Sequence, residues 1–352
     1  MRYRVLGGTG IEVSTYCLGT MMFGAVGNPD HQDSVRIIHA ALDQGINFVD
    51  TADMYSAGES EEIVGKALRD PRRREETVLA TKVFFPFGEG PNRGGTSRRW
   101  ITRAVENSLR RLGTDWIDLY QVHRPDHRTD IEETLDVLGD LVSQGKIRAF
   151  GCSAFPAEQI VEAHAVAERR GLRRFRSEQP PYSLLARGIE TSVLPVAQRY
   201  GMGVLTWAPL AAGFLTGKYR KGRPVDLTSG RAALAPQRFD PALPVNQAKL
   251  DAVEELIAVA DDIGATLPEL AIAFAAAHPA VTSVILGPRT GEQLEGLLKG
   301  ASLVLTDEVL DRIDAIVPPG TNLYQPDGVW RPASLTDPAL RRRPLGDRAA
   351  AD

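Results

Sequence analysis

Eight times along this chain a short run of β-branched or aromatic residues gives way to a longer amphipathic stretch, a rhythm that few folds accept. The runs lie at 16–18, 47–50, 78–81, 117–121, 149–153, 176–179, 203–208 and 283–286. Apolar spacing predicts helices between them at 33–44, 60–69, 97–112, 131–144, 157–170 and 190–200, with a pair before the last strand. Gly45, Gly113, Gly145 and Gly171 follow four of these helices, where a left-handed cap is needed. Strands alternating with helices build a parallel sheet. Eight such units close it, so the expected fold class is α/β, a (β/α)8 TIM barrel. Residues 2–13, around Gly7, Gly8 and Gly10, predict an N-terminal β-hairpin over the barrel floor. A C-terminal tail carrying Pro319, Pro326, Pro332, Pro338 and Pro344 cannot hold regular structure for long. The expected division is a barrel over 1–320 and an irregular tail over 321–352.

With 352 residues, 43% of them hydrophobic and 24% charged, the chain can bury one large core. A net charge of -4, with no basic block beyond 341–343, gives no attraction for nucleic acid or an anionic membrane. The two cysteines, Cys17 and Cys152, sit in apolar stretches far apart and are expected in the core. The start lacks a basic segment followed by an apolar one, and no apolar run reaches roughly 18 residues. These features imply a cytoplasmic protein whose partner is a small molecule.

Barrel enzymes work at the carboxyl ends of their strands, so polar residues placed there carry the functional argument. Strand two ends at Asp50 with Tyr55 in the next loop, strand three ends at Thr81 and Lys82, and strand four ends near His123. Together they describe a proton-transfer site. A tyrosine titrates near 10, and a lysine ammonium about 4 Å away favours its anion by roughly 4 kcal/mol at an effective dielectric of about 20. That brings the phenol down by up to about three pH units before burial subtracts its share. Asp50 would keep Lys82 charged and aimed, while His123 would hydrogen-bond and orient a carbonyl oxygen.

The stretch GINFVDTADMYSAGESEEIVGKAL (45–68), with LATK (79–82), LYQVHRPD (119–126) and GCSAF (151–155), resembles the aldo-keto reductase superfamily over nearly the whole chain to about residue 317. The resemblance implies an NADPH-dependent reductase of aldehydes or ketones with the tetrad Asp50, Tyr55, Lys82 and His123. It implies that Ser153 and Gln179 bond the nicotinamide carboxamide and that Trp207 stacks under the ring. WAPLAAGFLTGKY (207–219) is similar to the clamp of the voltage-gated potassium channel β-subunit branch, in which Leu210, Gly213 and Lys218 would face the pyrophosphate. Thr20, Met21, Pro209, Arg231, Gly287 and Gln293 complete the implied cofactor set. GPRTGEQLEG (287–296) opens a helix directly after the last strand, so Arg289 at that anion-attracting end would pair with the 2'-phosphate.

Ala154 stands where the family usually has Asn, and Gly296 and Leu297 replace a frequent Glu-Asn pair. Phe23, Phe84, Phe85 and Phe87 suggest an apolar substrate wall. The branch also implies assembly into a homo-oligomer.

Other classes fit less well. GxGxxG between strand and helix is missing, no tyrosine has a lysine four residues on, and Pro125 prevents His123 and His127 from forming a helical pair of metal ligands. Two alternatives remain beside a general reductase. One is a dedicated ketoreductase of secondary metabolism, acting on a nucleotide-linked deoxysugar or a polyketide side chain. The other is a slow NADPH-binding regulatory subunit. Channel β-subunits of the superfamily carry a different residue at the histidine position, so His123 favours turnover.

Overall fold

A computed structural model describes residues 1–228, 232–233, 235–335 and 337–348. Eight parallel strands close into a barrel in chain order: β3 (Tyr16–Gly19), β4 (Phe48–Asp50), β5 (Val78–Val83), β6 (Ile117–Val122), β7 (Ile147–Ser153), β8 (Ser177–Gln179), β9 (Gly203–Thr206) and β10 (Ser283–Leu286), the last pairing back onto β3. All eight predicted runs hold a barrel strand, with ends that differ by at most two residues. The seventh stops early, at Thr206, because Ala208 takes a left-handed φ of 56° that no strand continues through.

The helices cover the outside: α1 (His31–Asp43), α2 (Glu59–Ala67), α3 (Pro71–Glu76), α4 (Arg98–Leu112), α5 (Ile131–Ser143), α6 (Ala157–Arg170), α7 (Val193–Tyr200), α8 (Pro244–Asp262), α9 (Leu267–Ala277), α10 (Gly291–Lys299) and α11 (Asp307–Ile316). Their ends follow local chemistry. Ser97 caps α4 through the Trp100 amide, and Thr266 with Glu269 forms a reciprocal capping box on α9. The predicted helix 190–200 is instead a 3-10 turn, Gly188–Thr191, and then α7, because Ser192 at φ -148° interrupts it.

The hairpin pairs β1 (Tyr3–Val5) with β2 (Glu12–Ser14) in antiparallel register. Its Leu6 and Val13 plug the barrel floor against Cys17, Phe48, Ala80, Leu119, Ala149, Leu205 and Ile285. Gly7 has to be glycine, since a Cβ there would lie 2.4 Å from the Arg176 carbonyl oxygen. Side chains on a strand alternate, so the residue two positions further along faces the same interior. Two positions above this apolar layer stand Gly19, Asp50, Lys82, Gln121, Gly151 and Trp207. The barrel therefore changes from apolar to polar at one height.

Beyond α11 the described residues hold short 3-10 turns and one isolated antiparallel bridge, Asn322 to Ala186. The start of this segment docks on the loop after β8. Arg187 N donates to the Thr321 carbonyl, Leu323 N to Leu185, and Gly188 N to Asn322 Oδ1. Further on, Trp330 N donates to the Ala154 carbonyl just past β7, so the tail crosses the carboxyl face of the barrel. No helix among the described residues is long and apolar enough to cross a membrane.

Candidate active site

Lys82 is fully buried on β5, and its ammonium is shared among Asp50 Oδ2 at 2.5 Å, the Thr51 carbonyl at 2.8 Å and the Tyr55 hydroxyl at 3.3 Å. Burial alone would lower its pKa, but Asp50 and then Tyr55 raise it above the ordinary lysine value, so the ammonium stays charged. The other Asp50 oxygen accepts Nε2 of Gln179 at 2.9 Å and of Gln121 at 3.2 Å. Both oxygens of the buried carboxylate are thereby hydrogen-bonded, the condition under which a buried ion pair is tolerable.

Tyr55 reaches this pair from a kinked turn after β4, Tyr55–Gly58, in which Ser56 and Ala57 hold left-handed φ of 47° and 55°. Such non-glycine residues cost on the order of 1 kcal/mol each. The Ser56 hydroxyl, donating to the Phe23 carbonyl, helps to hold the turn. Lys82 was expected to bring the phenol down. Burial outweighs it, and the Tyr55 pKa stands above the usual 10, with Lys82 opposing and Asp50 reinforcing the rise. Tyr55 is therefore neutral at physiological pH.

His123, just past β6, stands edge-on to Tyr55 with ring centroids 5.9 Å apart and edge-on to Phe85 at 5.0 Å. Burial, then Lys82 and Arg124, holds its pKa well below the usual histidine value. It is a neutral imidazole, and its buried Nδ1 has no hydrogen-bond partner among the described residues.

Around this centre the Gln179 carbonyl accepts the Ser153 hydroxyl at 2.8 Å, the Ala154 amide at 3.1 Å and Trp207 Nε1 at 3.2 Å. The structure thus joins Ser153, Gln179 and Trp207 to the four tetrad residues. The Gln179 amide nitrogen donates to Asp50 and, at 3.3 Å, to Gln121 Oε1, which leaves its side-chain oxygen as the atom that can accept a bond from a ligand.

The loop after β9 holds Ala208, Ala211, Ala212 and Gly213 at left-handed φ and folds Lys218 back over Gly213. Gly213's amide, expected to face a pyrophosphate, is spent on the Leu210 carbonyl at 2.8 Å. The Leu210 amide has no partner among the described residues. Pro209 is buried beside it. Lys218 and Arg289 are exposed and make no ion pair among the described residues, so these two cations suit a phosphate-rich ligand lying across the mouth.

Met21 is exposed at the mouth, and Gly287 has open space where a Cβ would point. Two side chains expected at the cofactor are engaged within the protein. Thr20 is fully buried, its hydroxyl shared between the Asp50 carbonyl and Ser60, so its side chain shapes the loop. Gln293 uses its side-chain oxygen to accept the Arg289 amide at 2.8 Å, closing the start of α10. Arg231 lies outside the described residues. Of the four phenylalanines, Phe23 is fully buried in the core and Phe87 lies under Arg111, so Phe84 and Phe85 alone can wall the site.

Sequence reasoning missed Gln121, which steadies Asp50. The strand's period of two was the available signal, because Gln121 faces inward two positions before His123.

The aldo/keto reductase family model matches residues 16–318. A Bacillus subtilis protein named uncharacterized oxidoreductase YrpG is 40% identical over 327 residues, covering 90% of this chain and 96% of its own length. Aldo-keto reductase YhdN of the same organism is 38% identical over 323 residues, covering 90% and 94%. A probable voltage-gated potassium channel subunit beta of Oryza sativa is also 38% identical over 323 residues, covering 90% and 97%. A family match spanning the whole barrel, on a closed eight-stranded sheet with a polar centre at its carboxyl mouth, makes this chain a member of the aldo/keto reductase family.

Proposed function

We propose that this oxidoreductase reduces an aldehyde or ketone to its alcohol with NADPH, and that Tyr55 is the general acid. The observation that carries the reading is one buried ammonium, Lys82, held between the Asp50 carboxylate and the Tyr55 hydroxyl. NADPH, when bound, supplies the hydride that adds to the carbonyl carbon. The chain does the rest.

The neutral His123 imidazole donates a hydrogen bond to the carbonyl oxygen and polarises it, so that negative charge gathers there. Tyr55 passes its proton to that oxygen, completing the alcohol. The tyrosinate left behind is stabilised by Lys82 until solvent returns a proton. A high phenol pKa suits this sequence, since Tyr55 carries its proton at every physiological pH and releases it only toward an oxygen made basic by the arriving hydride.

Trp207 and Ser153, with the Gln179 oxygen, are suited to hold the nicotinamide. Leu210 and Lys218 suit the pyrophosphate, and Arg289 the 2'-phosphate. Steady-state NADPH oxidation with a panel of aldehydes and ketones tests the reading, and turnover with NADPH well above NADH is the expected result. Firm NADPH binding without turnover of any carbonyl would instead support a regulatory subunit.

A further inference from the structure

Arg124 directly follows His123, yet the reaction just described gives it no task. Its guanidinium stands over the mouth, with Cζ 5.9 Å from the ring centroids of both Phe85 and Trp207. Of its five N–H donors, one set is engaged, Nη1 to the His123 carbonyl at 2.6 Å. Among the described residues no carboxylate lies within ion-pair distance of it.

The groups whose charge reaches Arg124 are Tyr55, which is neutral, and Glu178. Glu178 is buried on β8 with Oε1 accepting the Phe155 amide, and burial lifts its carboxyl to about 7. It therefore carries only part of a charge at neutral pH. A half-buried cation costs solvation free energy unless an anion offsets it.

We propose that Arg124 is a specificity residue that receives an anionic group of the substrate, so that the preferred carbonyl compounds carry a carboxylate or a phosphate. This deepens the reductase reading and rests on it. The planar fork offers parallel N–H donors that match either oxyanion, and the two flanking rings hold the fork by cation–π attraction while keeping water away. Adjacency to His123 puts the anion site beside the carbonyl site, so both ends of one small substrate are read together.

The test compares kcat/KM for 4-carboxybenzaldehyde against benzaldehyde, and for glyceraldehyde 3-phosphate against glyceraldehyde, in the wild type and in Arg124→Met and Arg124→Lys. Arg124 also acts on Tyr55 and His123 through its charge, but that influence is common to both members of each pair. The ratio within a pair isolates the anion contact. The wild type is expected to favour one anionic member by at least about tenfold, chiefly through KM, as one charged hydrogen bond warrants. Arg124→Met should bring that ratio close to one, and Arg124→Lys should keep part of it. Which pair responds tells carboxylate from phosphate.

Wild-type ratios near one in both pairs, or equal losses within a pair on substitution, overturn the proposal while leaving the reductase reading intact. Should no carbonyl be turned over, the reductase reading fails. Calorimetric titration of 4-(hydroxymethyl)benzoate against benzyl alcohol, and of glycerol 3-phosphate against glycerol, with and without NADP, then decides on Arg124. Tighter binding of either anion in the wild type and not in Arg124→Met supports the anion contact, and equal binding within both pairs overturns it.

Discussion

Ala154 holds a left-handed backbone with φ 57°, a conformation that asparagine accepts far more readily than alanine. The turn is kept from both sides, by the Ala154 amide on Gln179 and the Ala154 carbonyl on Trp330. Ala154→Asn should therefore raise stability by about 1 kcal/mol, read as a higher Tm, and tighten NADPH binding by restoring a side-chain amide beside Ser153. Ala154→Gly should leave NADPH affinity where it is. Asp53, buried two residues before Tyr55, has its pKa pushed up to about 8 by burial and then by Glu61. A raised folded-state value means that stability is full below the unfolded carboxyl value of about 3.9 and falls as pH climbs through 8. Asp53→Asn should flatten the decline of Tm between about pH 4 and 8, the interval between the unfolded and folded values. At this scale Asp50, Lys82 and His123 were legible because each ends a strand. The balance at Tyr55 was not, since it depends on how deeply the hydroxyl is buried, which no local pattern carries.

Among the elements, the loop after β9 and the start of α10 would set the cofactor side of the mouth in the proposed function. They are joined to the loop after β3, where Asn28 donates to the Arg289 carbonyl at 3.1 Å. Arg289→Ala should raise KM for NADPH by about tenfold or more and leave KM for NADH within about twofold, because the lost contact is a charged one made to the 2'-phosphate alone. The long helices were legible in apolar periodicity. The six-residue α3, PRRREE, was not, since it has no apolar stripe, although Asp70 as N-cap followed by Pro71 marks its start. Left-handed alanines at 208, 211 and 212 were equally unreadable, because alanine gives no hint of positive φ.

Over the whole molecule, alternation of strands and helices was enough to imply closure, because eight parallel units leave no edge to pair elsewhere. The course of the tail followed from no such rule. Proline excluded regular structure, but its docking depends on single hydrogen bonds from Arg187, Gly188, Leu323 and Trp330. We propose that residues 321–330 act as part of the barrel unit. Ending the chain after Gly320 should lower Tm and raise KM for the carbonyl substrate more than it lowers kcat, measured on the truncated and full-length proteins side by side.

The central claim is that Tyr55, set against the Asp50–Lys82 pair, donates the proton. Single-turnover loss of NADPH absorbance on mixing with a reactive aldehyde, in the wild type and in Tyr55→Phe, tests it most directly. Tyr55→Phe is expected to slow the chemical step by about a hundredfold or more while NADPH affinity holds, since the ring remains and only the proton is lost. A Tyr55→Phe protein that reduces the aldehyde at the wild-type rate would contradict it.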